Sequence, residues 1–406
     1  MDAPALIPRS VPPRQLAWLR TELTDWASDG LITEEQAERI AVRYRPGLGH
    51  ARVNVGRVLL YLGGGFVGVG LIWLVAANLD QLSPLARFLA VALIWLALLV
   101  GGETLAARKA SAPVVGAVRL LAALGIGAVL FQAAQSLQVP AFEPRLVGLW
   151  SAAALVHAYA TRAYLPFLVG VATGVGWWFS QPLWDEPSGL AVVLLFGAGA
   201  VLATSLAVLH DKRIEAFAWT WRTVGAGMAL LAMFVAAIPD VGSDRVTWGF
   251  WLVVALGAAG LSAVAAAVTR PGIRVLEPAG AIAVLVVATL LGLWQTGTDT
   301  SSVDAADWAH AAVSVMAYVV LAVGLVALGT VREHPPLVWM AMVGLVVFTT
   351  FQSFAVFAPI VTGAWLFVVL GTVFLGTGFL FDRARRELAH ALDSDDTNSD
   401  STGADR

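Results

Sequence analysis

The sequence predicts an all-α fold: a polytopic transmembrane helical bundle of about twelve spans. Of its 406 residues, 58% are hydrophobic and only 13% are charged, whereas a soluble domain usually carries about 25% charged residues. The mean hydropathy is +0.77. Apolar runs long enough to cross roughly 30 Å of hydrocarbon recur along most of the chain. Lipid must therefore be the solvent for most of the molecule.

A small helical hairpin is predicted before the first span. The apolar face of its first helix would consist of Leu16, Leu19, Leu23 and Trp26, and that of its second helix of Ala37, Ile40, Ala41 and Tyr44. Asp29-Gly30 would end the first helix, and Thr33 with Gln36 predicts a capping box at the start of the second. A unit of this size is marginally stable alone, so we expect it to dock on the membrane surface, the cytoplasmic loops or a partner.

The spans follow the hairpin. They are predicted at residues 57–77, 86–106, 114–136, 146–161, 164–182, 189–209, 219–238, 247–268, 276–295, 308–329, 336–356 and 359–381. The fourth and fifth spans meet at the short junction Thr161-Arg162-Ala163, which leaves a count of ten or eleven open. The sequence predicts three parts: the cytoplasmic hairpin (1–50), the transmembrane domain (51–385) and an acidic tail (386–406). From about Leu392 onward the tail is rich in Asp, Ser and Thr, so it is expected to be disordered.

The positions of Lys and Arg predict that both termini are cytoplasmic, since basic residues accumulate in cytoplasmic loops. With twelve spans, 22 of the 25 basic residues fall inside. Only Arg87, Arg145 and Arg245 fall outside. A misplaced span would have mixed the two sets, so the distribution supports the layout.

Several classes of function are excluded or unsupported. The chain has no cysteine, which excludes disulfides, thiolate metal sites and cysteine nucleophiles. It has no HExxH, P-loop or GxSxG motif, its six histidines are not at metal-ligand spacing, and it has no basic domain of the kind that binds nucleic acid. We therefore predict no catalytic residue, no cofactor and no metal site, and a protein that is not an enzyme.

Glycines in two predicted spans have the spacing used in helix packing. Gly63-x-Gly65-x-x-Gly68 matches the dinucleotide fingerprint, but it lies inside a span rather than at a strand-to-helix turn. Close packing through small residues is the favoured interpretation. Gly170 and Gly174 in the fifth span are interpreted in the same way.

Ionisable side chains inside spans are costly and are functional candidates by default. Three such residues stand out: Glu103, His157 and Glu277. The structural interpretation of Glu103 is a carboxylate near the basic residues Arg108 and Lys109. For Glu277 it is a helical ion pair with Arg274, three residues earlier.

His157 lies deeper, in the short fourth span. It is interpreted as a neutral side chain bonded to a neighbouring helix, with a proton relay as the alternative.

Uncharged polar residues mark two further spans. Gln132 in the third span and Gln352 in the eleventh are candidates either for lining a polar path or for joining helices. The residues grouped with them are Gln135, Thr349 and Thr350.

Two parts of the sequence resemble a known family. The first is the stretch from Trp26 to Gln36 with Tyr44 after it, and the second is Val75-Ala76-Ala77-Asn78 at the end of the first span. The family is the prokaryotic membrane-protein family catalogued as domain of unknown function 2157. Leu79 stands where that family commonly has Trp. The resemblance covers about the first hundred residues and implies a bacterial inner-membrane protein without an assigned activity.

Two functional hypotheses follow. The first is a transporter-like or flippase-like protein, favoured by a membrane domain far larger than an anchor requires. The second is a membrane-anchored sensor or scaffold that recruits a cytoplasmic partner through the N-terminal hairpin. An embedded enzyme is a third, less favoured alternative. The expected partners are the lipid bilayer and, in the second hypothesis, a cytoplasmic protein, and the expected location is the bacterial cytoplasmic membrane.

Overall fold

The computed structural model describes ten stretches of the chain and a few isolated helical positions between them. The stretches are residues 9–11, 13–46, 83–137, 143–184, 188–211, 213–239, 241–242, 245–270, 272–294 and 305–357, and the isolated positions are 62–63, 66, 70, 371–372, 375–376 and 383. The described part is helical apart from one short strand pair, which confirms the predicted all-α membrane fold. The chain divides into two compact units, Met1–Ala141 and Phe142–Arg406.

The first unit begins with the predicted helical hairpin, α1 (Pro13–Ser28) and α2 (Glu34–Val42). The capping box is present, because Gln36 N–H donates to Thr33 Oγ1 at 3.2 Å and Thr33 N–H donates to Gln36 Oε1 at 2.9 Å. Gly30 has a φ of +71°, a conformation that glycine adopts without steric cost. Leu23 is buried, whereas Trp26 lies on the exposed side.

A strand pair that the sequence did not predict closes the hairpin. β1 (Arg9–Val11) pairs in parallel with β2 (Tyr44–Pro46). Three-residue strands leave too short a pattern to be recognised by alternation.

Two long helices complete the described part of this unit, α3 (Pro84–Ala107) and α4 (Ala112–Ser136). Ser83 caps α3 through Ala86 N–H at 3.3 Å, with Pro84 at the first helical position. Trp95 of α3 packs on Gly125 of α4, where an added Cβ would lie 3.1 Å from the indole.

The second unit contains eight helices in its described residues. They are α5 (Pro144–Thr161), α6 (Tyr164–Trp184), α7 (Gly189–His210), α8 (Glu215–Ala236), α9 (Phe250–Thr269), α10 (Leu276–Leu293), α11 (Ala305–Val331) and α12 (Pro335–Phe357). A 3-10 turn, Ile273–Val275, precedes α10.

The helices α3 to α12 coincide with the second to eleventh predicted spans, to within a few residues. Among the described helices, seven are long and apolar enough to cross a membrane: α3, α4, α7, α9, α10, α11 and the first 18 residues of α12. Predicted spans 57–77 and 359–381 lie almost entirely outside the described residues, and so does the predicted acidic tail.

The core of the second unit forms around α7, the most enclosed of the apolar spans. This helix is rich in Ala and Gly and packs against α8, α9 and α10. Small side chains let helix backbones approach closely where lipid supplies no hydrophobic driving force. By contrast, α10 and α11 scarcely touch each other. Their separation leaves an opening in the bundle.

Gly170 and Gly174 confirm the packing interpretation of their spacing. An added Cβ at Gly170 would lie 2.8 Å from Leu155 Cγ, and one at Gly174 would lie 2.6 Å from Ser151 Oγ. Ser151 Oγ also donates to the Gly170 carbonyl at 2.7 Å. These glycines therefore hold α6 directly against α5.

Candidate functional site

A cluster of buried charges joins four helices of the second unit at one end of the bundle. Arg222 lies about two turns into α8, and its side chain is only 5% exposed. Its Nη2 donates to Asp211 Oδ2, just after α7, at 2.7 Å, and its Nε donates to Glu277 Oε2, in the first turn of α10, at 2.8 Å. Arg332, just after α11, donates to Glu277 Oε1.

Two arginines and two carboxylates make this network neutral as a whole. Arg332 Nη1 also lies 3.6 Å from Asp211 Oδ2, so each arginine contacts both carboxylates. The side chains of Asp211 and Glu277 are 10% and 5% exposed. Buried charges persist only when they are paired and hydrogen-bonded, and this closed arrangement satisfies that requirement.

Trp219 and His334 flank the network. The rings of His334 and Trp219 meet edge to face with centroids 4.5 Å apart, and His334 Nε2 is 3.0 Å from Thr223 Oγ1. His334 precedes α12 and is buried. Burial, and secondarily the charge of Arg222, lowers the pKa of His334 below its usual value. The imidazole is therefore neutral at neutral pH.

A cleft of about 820 Å³ extends from the charge network between α10 and α11, with α8 as its floor. At its charged end lie Arg222, Arg274, Glu277 and Arg332. Beyond Glu277 the lining is apolar and rich in small residues, including Gly280 and Gly324. On α10 the lining continues to Val287, roughly 15 Å along the helix axis at 1.5 Å per residue.

The charged end of the cleft has an excess of positive charge. Three arginines and one glutamate line it, and two of these arginines share Glu277 and Asp211 in the charge network. That excess corresponds to Arg274, which is half-buried and for which the described residues supply no carboxylate partner. The cleft thus combines a cationic end with an apolar body, the pattern of a site for an amphipathic anion.

Glu277 is the only predicted candidate that belongs to this site. The predicted pairing of Glu277 with Arg274 is wrong, because Arg222 and Arg332 of other helices occupy both carboxylate oxygens. Tertiary pairing replaces the helical pair because without Glu277 the two arginines would share Asp211 as their counter-ion, and Arg222 is buried.

Glu103 lies in the first unit and also has a different partner from the one predicted. Arg119 of α4 binds its carboxylate through two hydrogen bonds, of 2.8 and 2.6 Å. Arg108 and Lys109 follow Glu103 by five and six residues and lie beyond the last residue of α3, whereas side chains on a helix face each other at separations of three and four residues. The Glu103 side chain is 45% exposed.

The remaining candidates are dispersed. His157 is buried in α5, and its carbonyl accepts from Thr161 Oγ1 at 2.8 Å. Gln132 is half-buried in α4, in the first unit, whereas Gln352 is buried in α12, in the second. Thr349 and Thr350 donate to carbonyls of their own helix.

Asp211, Arg222 and Arg332 were not predicted as site residues. The sequence did contain a signal for Arg222. It falls three residues inside the predicted span 219–238, where a charge is costly without a counter-ion. Asp211 and Arg332 follow their helices and resemble ordinary loop charges in the sequence. In the described part of the chain, no group of His, Asp or Glu side chains is placed to hold a metal ion.

Comparison with known families confirms the resemblance noted in the sequence. The family described as predicted membrane protein, domain of unknown function 2157, matches residues 24–167. The match extends beyond the hundred residues that carried the resemblance, from the last residues of α1 through α5 to the first turn of α6. No curated protein and no solved structure gives a significant match. The network and the cleft lie C-terminal to the matched region.

Proposed function

We propose that this protein binds membrane amphiphiles in the cleft between α10 and α11 and moves them in the manner of a transporter or flippase. The observation that carries the proposal is the shape of the cleft, which has a cationic end and an apolar body. A volume of about 820 Å³ is within the range of ligand sites. We place the protein in a bacterial cytoplasmic membrane and assign it no catalytic chemistry.

The separation of α10 from α11 supports lateral entry from the bilayer. Val320 of α11 lines the cleft and is 64% exposed. A hydrocarbon chain lying there would cover apolar surface at about 25 cal/mol per Å². The predicted topology puts the charged end at the cytoplasmic face, at the depth of phospholipid headgroups.

The test fills the cleft with one side chain. Gly324 lines the cleft and its added Cβ would meet nothing within 4 Å, so the side chain of Gly324→Leu should extend into the cleft and narrow it. Gly260→Leu on α9 is the matched control, because its added Cβ is equally free and it lies outside the cleft. Vesicles containing the purified chain and a nitrobenzoxadiazole-labelled phospholipid are treated with dithionite, which bleaches only the outer leaflet.

With the wild-type chain or Gly260→Leu, labelled lipid should move from the inner to the outer leaflet and be bleached there. With Gly324→Leu, the label in the inner leaflet should stay protected. Protection of the inner-leaflet label with the wild-type chain would refute the transport proposal. If Gly324→Leu permits as much bleaching as the wild-type chain, lipid transport does not take place through the cleft.

A second candidate function is recruitment of a cytoplasmic partner by the N-terminal hairpin. Trp18 and Leu31 are largely exposed on that hairpin, which favours contact with another molecule. The vesicles contain only the purified chain, so lipid movement in them would require no cytoplasmic partner. Observing such movement would favour transport over recruitment. If none occurs, recruitment becomes the leading candidate, and Trp18→Glu should then abolish partner binding without changing the thermal stability of the chain.

A further inference from the structure

We infer that the cleft selects phospholipids with an anionic headgroup, and that Arg274 is the residue that selects them. This inference rests on the proposed amphiphile site and specifies its ligand class. The chemistry is that of a phosphate held at the charged end, with an acyl chain along the apolar lining. The occupant is a lipid of the surrounding bilayer.

The two carboxylates of the charge network do not repel such a headgroup strongly, because both are neutralised by arginines. Arg222 and Arg332 bind both oxygens of Glu277, and both contact Asp211 Oδ2. A cationic ligand would have to displace a buried arginine to reach either carboxylate. Cationic amphiphiles are therefore disfavoured.

Arg274 has the position that an anion requires. It belongs to the 3-10 turn that precedes α10 and lines the same end of the cleft as Arg332. Its guanidinium offers several N–H donors in a planar fork that matches phosphate geometry. Arg332 is 28% exposed and adds a second positive charge on the other side of the opening.

The charge excess also discriminates between headgroups. Phosphatidylglycerol presents its phosphate without a cation, whereas the choline of phosphatidylcholine would approach Arg274 and Arg332. Charge-assisted hydrogen bonds to phosphate are stronger than neutral ones. Loss of one such bond corresponds to a change in affinity of about tenfold.

The test measures thermal unfolding of the full chain in detergent during titration with phosphatidylglycerol or phosphatidylcholine of identical acyl chains. A ligand that binds the native state raises the midpoint temperature as its concentration exceeds the dissociation constant. For the wild-type chain we expect phosphatidylglycerol to bind about tenfold more tightly than phosphatidylcholine. In Arg274→Gln this preference should disappear, and Arg274→Lys should retain part of it.

Arg213→Gln is the matched control, because Arg213 is exposed in the turn after α7 and does not line the cleft. It should keep the full preference. Inorganic phosphate and glycerol phosphate should not stabilise the chain, because they lack the acyl chain, and stabilisation by either would point to a free anion instead.

The outcomes separate this inference from the proposal beneath it. If neither lipid stabilises the wild-type chain, the cleft is not an amphiphile site and both fail. If both lipids stabilise it equally, or if Arg274→Gln keeps the preference for phosphatidylglycerol, headgroup selection by Arg274 is refuted while the amphiphile site stands.

Discussion

Glu277 and Glu103 are both carboxylates bound by arginine, but they differ in burial. The Glu277 side chain is 5% exposed and binds two arginines from other helices. The Glu103 side chain is 45% exposed and binds one. Because solvent screens exposed pairs and not buried ones, the same substitution should have different consequences at the two positions.

Glu277→Gln should lower the stability of the chain by about 3–5 kcal/mol, because it leaves Arg222 buried with one counter-ion fewer. The matched variant Glu103→Gln should cost about 1 kcal/mol or less. Thermal unfolding in detergent measures both. Equal losses in the two variants would contradict the assignment of Glu277 to a buried network.

The lowered pKa of His334 predicts a dependence of stability on pH. Its folded pKa lies below the unfolded value of about 6.5, so the unfolded chain binds the proton more readily. Stability should be unaffected by this residue above about pH 7 and should fall as the pH drops through the unfolded pKa. His334→Gln should flatten that part of the profile of thermal midpoint against pH. A profile that is identical in the variant would show that His334 is not the group responsible.

At the scale of the helical element, α5 and α6 meet through small residues rather than through charge. The added Cβ at Gly170 would also lie 3.0 Å from the backbone nitrogen of Leu155, which cannot move aside. At Gly176, on the same helix, an added Cβ would meet nothing within 4 Å.

Gly170→Leu should therefore force the two helices apart and lower the thermal midpoint of the chain, because overpacking typically costs about 1–3 kcal/mol. Gly176→Leu should leave it nearly unchanged. If both variants melt at the same temperature, the glycine contact does not hold this helix pair.

The helices were predictable because each has a strong local signal. Each is a long apolar run, and proline or a capping residue marks where it begins, as Pro84, Pro144 and Ser188 do. The partners of Glu103 and Glu277 were not predictable, since pairing between helices depends on which helices are neighbours. That information is absent from local spacing, which gave Arg108, Lys109 and Arg274 instead.

At the scale of the whole molecule, the location of the cleft depends on membrane topology. The charged residues of the site follow α7 and α11 or lie near the starts of α8 and α10, which places them all at one end of antiparallel helices. The excess of basic residues predicts that this end is cytoplasmic.

The absence of native cysteine makes the topology directly testable. Arg245 and Arg213 are both exposed and are predicted to lie on opposite faces of the membrane. Arg245→Cys should react with an impermeant thiol reagent in intact cells, and Arg213→Cys should react only after the membrane is opened. The reverse pattern would invert the topology and place the charged end outside.

The central claim is that a lipid with an anionic headgroup occupies the cleft between α10 and α11. The most direct measurement uses a bimane label on Val320→Cys, which lines the cleft, and on Val264→Cys of α9, outside it. The two valines are matched in exposure, at 64% and 63%. In vesicles of mixed composition, brominated phosphatidylglycerol should quench the label at position 320 more strongly than brominated phosphatidylcholine does, and the two lipids should quench the label at position 264 equally. Equal quenching by the two lipids at both positions would contradict the claim.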